Sequence, residues 1–149
     1  MPELDATALD AAPSDAPEAD LVAGWRDLLA RHAAASCALD RELGERHGLG
    51  MSEFEVLERL AEDEQRGAGD QNLRVQDLAH TVHLSQSALS RLIGRLEKAG
   101  LVERALCQVD RRGIYVTLTE AGRERYRAAR PLHREVLART LSGKPGTGC

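Results

Sequence analysis

Gln86, Ser87, Ser90, Arg91 and Arg95 share one half of a helical wheel with Gly94 and Lys98. Short hydrogen-bonding groups come first and cations follow. Short polar side chains let a helix approach base edges closely, and an arginine fork matches guanine O6 and N7 or a phosphate. The opposite half of the same wheel holds Ala88, Leu89, Leu92, Ile93 and Leu96, which pack inward. A charged stripe is by itself only a solvated face, so the surrounding segments decide what this one does. A second pair of cations, Arg111 and Arg112, follows Asp110 in a turn-forming run between Gln108 and Gly113.

Other chemistries find less support in the spacing. His80 and His83 stand three apart, and with His47 or Cys107 they offer zinc-type ligands. No cluster of carboxylates and histidines at metal spacing surrounds them, so no metal or cofactor is expected. His32 and His133 read as interface packing positions on the two long terminal helices, with titration near neutral pH or effector contact as the other reading. There is no phosphate-cradling glycine loop, no HExxH and no placed nucleophile with its base, so an enzyme is not expected. Cys37, Cys107 and Cys149 are odd in number and lack CxxC spacing, which reads as free thiols.

The elements that must position the polar wheel follow from periodicity and caps. Leu21, Val22, Trp25, Leu28, Leu29, Leu39 and Leu43 recur at helical spacing, marking a long amphipathic helix over 21–46. Gly44, Gly48 and Gly50 break it. Ser52 is the expected N-cap of the next helix, with Glu55 completing a capping box and Phe54, Leu57, Leu60 and Ala61 on its buried face. After a polar loop, Asn72–Arg74 makes a brief strand and Val75–His80 a short helix. His83 and Leu84 form a tight turn, and Ser85 caps the polar-faced helix, so the pair is a helix-turn-helix. Gly100 ends that helix. Extended residues from Leu101 and from Ile114 to Leu118 form a hairpin around the Asp-Arg-Arg tip. Thr119 caps a last helix over 120–141, in which Pro131 is expected to cause a kink or an interruption.

The chain has 149 residues and suits one domain. Residues 1–20 hold three prolines and six acids without an apolar face, and read as a disordered acidic tail; residues 143–149 read as a flexible tail. No apolar run reaches membrane length and no signal peptide is visible, which points to the cytoplasm. The net charge of −4 is unevenly spread: residues 1–84 carry 7 basic and 18 acidic side chains, residues 85–131 carry 10 and 5. A basic segment in an acidic chain can still bind phosphates, because contact affinity follows the local potential.

The run Leu84-Ser85-Gln86-Ser87-Ala88-Leu89-Ser90-Arg91-Leu92, then Arg95-Leu96-Glu97-Lys98-Ala99-Gly100-Leu101-Val102, resembles the MarR (multiple antibiotic resistance regulator) family. So does Asp110-Arg111-Arg112-Gly113, followed by Leu118-Thr119-Glu120-Ala121-Gly122, which fits that family's DxRG and LTxxG pattern. The resemblance covers roughly Leu21 to Leu141. It implies a mainly α fold with a small β-hairpin wing, a winged helix-turn-helix over 52–118, and long terminal helices over 21–46 and 120–141 forming a dimerisation region. It further implies a triangular homodimer on a pseudo-palindromic double-stranded DNA operator. DNA contacts then fall on Ser85, Gln86, Ser87, Ser90, Arg91 and Arg95, with Arg112 in the minor groove, Asp110 orienting it and Arg111 on the backbone. Trp25 and Arg26 lie on the helix that roofs a crevice in the family, which makes them the expected contacts of a small-molecule effector. The expected function is a DNA-binding repressor released by that effector. A redox- or metal-responsive regulator of the same fold and a winged helix used for protein contact are the alternatives.

Overall fold

The first helix, α1, runs from Asp15 to His47. The computed structural model describes residues 15–66, 73–106 and 114–143. Residues 15–20, expected in the disordered tail, are therefore helical. The reason is local: Ala16, Ala19 and Ala23 have high helix propensity, and Pro17 falls in the first turn, where backbone N–H groups have no intrahelical partner to lose. α1 continues through Gly44 and stops at Gly48, whose φ of +64° suits a residue without Cβ.

The second helix, α2, spans Met51–Gln65, and its cap differs from the one the sequence marks. Gly50 holds the N-cap position without a side-chain bond, and Asp40 on α1 accepts the Met51 N–H through Oδ1 at 2.7 Å. A carboxylate from a neighbouring helix thus does what Ser52 was expected to do locally.

The remaining elements are β1 (Leu73–Arg74), α3 (Val75–Val82), α4 (Gln86–Lys98), β2 (Val102–Leu106), β3 (Ile114–Leu118) and α5 (Glu120–Leu141). The sheet is antiparallel in the order β1-β3-β2, with Val102 opposite Leu118 and Arg104 opposite Val116. α2 lies at the centre, touching α1, α3, α4, α5 and β3. Its Phe54, Val56, Leu57 and Leu60 are buried with Leu43, Leu78, Leu89, Ile93, Leu96, Val116 and Val136.

α5 is continuous through Pro131, so the interruption expected there as one of two outcomes does not occur. An interior proline costs about 3 kcal/mol. Ala129, Leu132 and Val136 on the same helix are buried, and each large apolar side chain returns about 1.5–3 kcal/mol. Packing therefore outweighs the missing bond.

The start of α5 explains the LTxxG pattern. Thr119 Oγ1 accepts from Gly122 N at 3.0 Å and donates to the Gly100 carbonyl at 2.6 Å. A Cβ on Gly122 would lie 2.1 Å from the Leu101 carbonyl oxygen, so only glycine lets α5 start against the end of α4. Cys37, expected as a free thiol, is disulfide-bonded, and both other cysteines lie outside the described residues. Sequence spacing does not constrain pairing between residues brought together by folding. Among the described residues, no helix is long and apolar enough to cross a membrane.

Candidate nucleic-acid interface

α3 and α4 meet across a turn set by His83, whose left-handed backbone (φ 56°) closes α3. Ser85 Oγ then accepts from Ala88 N at 3.2 Å and starts α4. Leu89, Leu92, Ile93 and Leu96 anchor α4 in the core, so its other side is fixed in direction. Ser85, Gln86, Ser87, Ser90, Arg91, Arg95 and Lys98 are all exposed on that side. Ser85 and Ser87 share a hydroxyl contact of 3.3 Å. Arg95 lies 3.6 Å from Glu53 of α2, with two thirds of its side chain still in solvent. The expected α4 positions thus come together on one polar surface. Asp110, Arg111 and Arg112 lie outside the described residues, as does Cys107.

Beside this surface, β2 contributes a cation that the sequence reading passed over. Arg104 Nη2 donates to the Ser90 carbonyl at 2.9 Å, and its Nε lies 4.0 Å from Glu97. Gly94 lies beside it on α4, where a Cβ would stand in ordinary contact with Nη2 at 3.7 Å. A signal was present: Arg104 is two residues from buried Val102 and so on the same side of the strand.

Trp25 and Arg26 sit on the N-terminal half of α1. Leu21, Trp25 and Leu28 there are 75%, 59% and 58% exposed, with Val22, Leu29 and Leu141 also in solvent. The C-terminal half of α1 differs, burying Ala35, Ala38, Leu39 and Leu43. Arg31 ties the two terminal helices together by donating to the carbonyls of Leu141 and Gly143, each at 2.9 Å.

Between α2 and α5 lies a buried polar knot. Glu58, 6% exposed, accepts from both Arg134 and the Tyr126 hydroxyl. Arg134 Nη1 also donates to His133 Nδ1 at 2.6 Å, which puts the ring proton on Nε2, and the imidazole stacks on Phe54 with centroids 4.2 Å apart. Burial pushes the Glu58 carboxyl upward, but Arg134, His133 and Tyr126 together hold it below its usual value. Burial, then the Arg134 charge, holds His133 below its usual value against the pull of Glu58. His133 therefore packs inside the chain, on the stripe of Ala129, Leu132 and Val136. Glu55, Glu58 and His133 are the one group with metal-ligand donors in reach of one another among the described residues, and Arg134 already supplies the positive charge there. A cleft of about 560 Å³ opens beside this knot, lined by Glu62, Arg123, Tyr126, Arg127 and Arg130 among others, and by neither Trp25 nor Arg26.

A family model described as the MarR family matches residues 47–113. AbsC, a MarR family transcriptional regulator from Streptomyces coelicolor, is 33% identical with a TM-score of 0.69, over 81% of this chain and 78% of that one. Sco3205, a MarR family regulator from the same organism solved in complex with DNA, is 31% identical with a TM-score of 0.72, over 84% and 77%. The HTH-type transcriptional regulator YkoM of Bacillus subtilis (strain 168) is 32% identical over 97 residues, 65% of this chain. The chain spans 58% of the length of YkoM and about a third of the length of the two other curated relatives it matches. These relatives are transcriptional regulators rather than enzymes, and on its sequence, its fold and its helix-turn-helix this chain belongs to the MarR family.

Proposed function

We propose that the chain is a sequence-specific double-stranded DNA-binding transcription regulator, acting as a homodimeric repressor that a small-molecule effector releases. The observation that carries the reading is the exposed row on α4, polar along its length and held rigid by Leu89, Leu92, Ile93 and Leu96 on its reverse. Such a helix meets a major groove with Gln86, Ser87 and Arg91 toward base edges and Arg95 toward phosphate. On the pattern of the family, Arg112 enters the minor groove, Asp110 orients it and Arg111 meets the backbone. That Sco3205 is seen in complex with DNA supports the reading.

The homodimer is supported by the apolar N-terminal half of α1, which a single chain leaves in water. A second copy covering it by two-fold symmetry makes two α4 helices face successive grooves, with half-sites about 10 bp apart. The cleft between α2 and α5 supports the effector, for its volume suits a small molecule. Arg127 and Arg130 there favour an anion. Trp25 and Arg26, which the lining of that cleft does not include, are the effector contacts that the family resemblance points to. No membrane contact enters this reading, and the protein works in the cytoplasm.

The test is a gel shift of the full chain on the DNA flanking its own gene, with scrambled competitor and graded salt. Retardation that survives competitor is expected. Binding that scrambled DNA abolishes, followed by failure to enrich any sequence from a random pool, would overturn the reading.

A further inference from the structure

Arg104 occupies a corner that the proposed mode of DNA binding leaves to one feature of the duplex. With α4 in a major groove and the β2-β3 hairpin over the neighbouring minor groove, the strand dividing the two grooves must cross between helix and hairpin. Arg104 is the side chain at that crossing. Its Nη2 is bonded to the Ser90 carbonyl on the polar row of α4, and its backbone pairs into the hairpin opposite Val116. Gly94 of α4 lies next to the guanidinium, where a Cβ would be within ordinary contact distance of Nη2.

The guanidinium is neither buried nor fully paired. About a third of its side chain faces solvent, and its other close charge, Glu97, stands 4.0 Å away and is itself half-exposed. A guanidinium has five N–H donors, and among the described residues the bond to Ser90 leaves most of them available. The bond fixes where they point, so little side-chain freedom remains to be given up on binding. A clamp between helix and hairpin needs only a hydrogen-bond donor. A full positive charge placed where a strand must pass does more.

We infer that Arg104 is a phosphate-binding and positioning residue, which grips the backbone strand between the two grooves while locking the hairpin to α4 through the Ser90 carbonyl. This rests on the DNA-binding reading above. The contact carries no base information; it sets the depth and angle at which α4 enters the groove.

The experiment compares the unsubstituted chain with Arg104→Gln and Arg104→Lys on an operator recovered by the gel shift, from 50 to 200 mM salt. Glutamine keeps a donor for the Ser90 carbonyl and removes the charge; lysine keeps the charge. Thermal melts establish that each variant is folded. Removing one protein–phosphate ion pair lowers the slope of log affinity against log salt by about 0.9, hence about 1.8 for the two subunits of a dimer. The advantage of the unsubstituted chain over Arg104→Gln should therefore shrink about 12-fold across that salt range. Arg104→Lys should keep the original slope. Ethylating operator phosphates one at a time should reveal one position per half-site that blocks the unsubstituted chain and no longer affects Arg104→Gln. An unchanged slope and an unchanged ethylation pattern in a folded Arg104→Gln would overturn the inference while leaving DNA binding intact. Failure of the unsubstituted chain to bind any DNA would remove the functional reading itself, and the inference with it.

Discussion

Two of the helix surfaces that face solvent, one on α4 and one on the first half of α1, are opposite in chemistry. On α4 the exposed row is Gln86, Ser87, Ser90, Arg91, Arg95 and Lys98; on the first half of α1 it is Leu21, Val22, Trp25, Leu28 and Leu29. Water suits the first row and not the second. Burying a Leu-sized side chain is worth about 1.5–3 kcal/mol, so the α1 row gains from apolar cover, whereas the α4 row would lose hydration under it. Exposure alone therefore says little about function. The chemistry of the exposed atoms names the kind of surface that covers them: another apolar helix in one case, a charged and hydrogen-bonding groove in the other.

The largest expected effect removes both surfaces at once. Gly122→Ala drives a methyl group into the Leu101 carbonyl. Alanine is the better helix former by about 1 kcal/mol, yet the overlap is with backbone and should cost about 3 kcal/mol or more. A urea melt of the variant with an unshifted midpoint would show that the α4-α5 junction is looser than described.

Next comes the apolar row alone. Leu28→Asp should split the proposed dimer while leaving the single chain folded, because Leu28 adds nothing to its core. Two buried leucines per dimer correspond to about 4 kcal/mol, about a thousandfold in dimer Kd. Light scattering across a dilution series reads this directly, and an unchanged mass at every concentration would detach the α1 row from self-association.

The polar row is tested in the converse way. Arg91→Ala should weaken operator binding by about 1–3 kcal/mol and flatten the preference at one base position, with dimer mass unaltered. Equal affinity for operator and single-base variants before and after substitution would take Arg91 off the groove floor.

The smallest effect concerns the joint between the two regions, where His133, Arg134 and Glu58 tie α5 to α2. His133 is held below its usual pKa, so the unfolded chain takes up its proton first as pH falls. Stability should be full above about 6.5, the ordinary value, and decline as pH drops from there toward the folded value. Protonation also places a donor against Arg134 Nη1. Glu58, lowered by its partners, adds a second decline that begins only below its ordinary value of about 4.5. Urea midpoints between pH 7.5 and 5.5 should fall for the natural chain and fall less for His133→Asn.

Much of the interface could be read before any coordinates. The two halves of α4 separate cleanly in the wheel because a helix has one period, and Ser85 and Thr119 cap their helices as their positions suggest. The cap of α2 could not be read, because Asp40 reaches Met51 across the α1-α2 turn and no local pattern encodes that approach. The same holds for Arg104. Its place beside Val102 puts a cation on the inward side of a strand, but Ser90 and Gly94, its neighbours on α4, are found only by folding the hairpin back. Glu58 and His133 also fall on apolar stripes, and nothing in either helix's sequence announces that Arg134 binds them both.

Sequence by itself determined the order of elements, the two faces of α4 and the charge contrast between the front of the chain and the helix-turn-helix. These are local or periodic properties, set by propensity, capping and the spacing of apolar residues. Tertiary structure decided where α1 divides into a buried half and an exposed half, that α5 passes through Pro131, and which distant groups satisfy one another. Burial depends on what packs alongside, and a hydrogen bond between residues tens of positions apart exists only once the chain between them has folded.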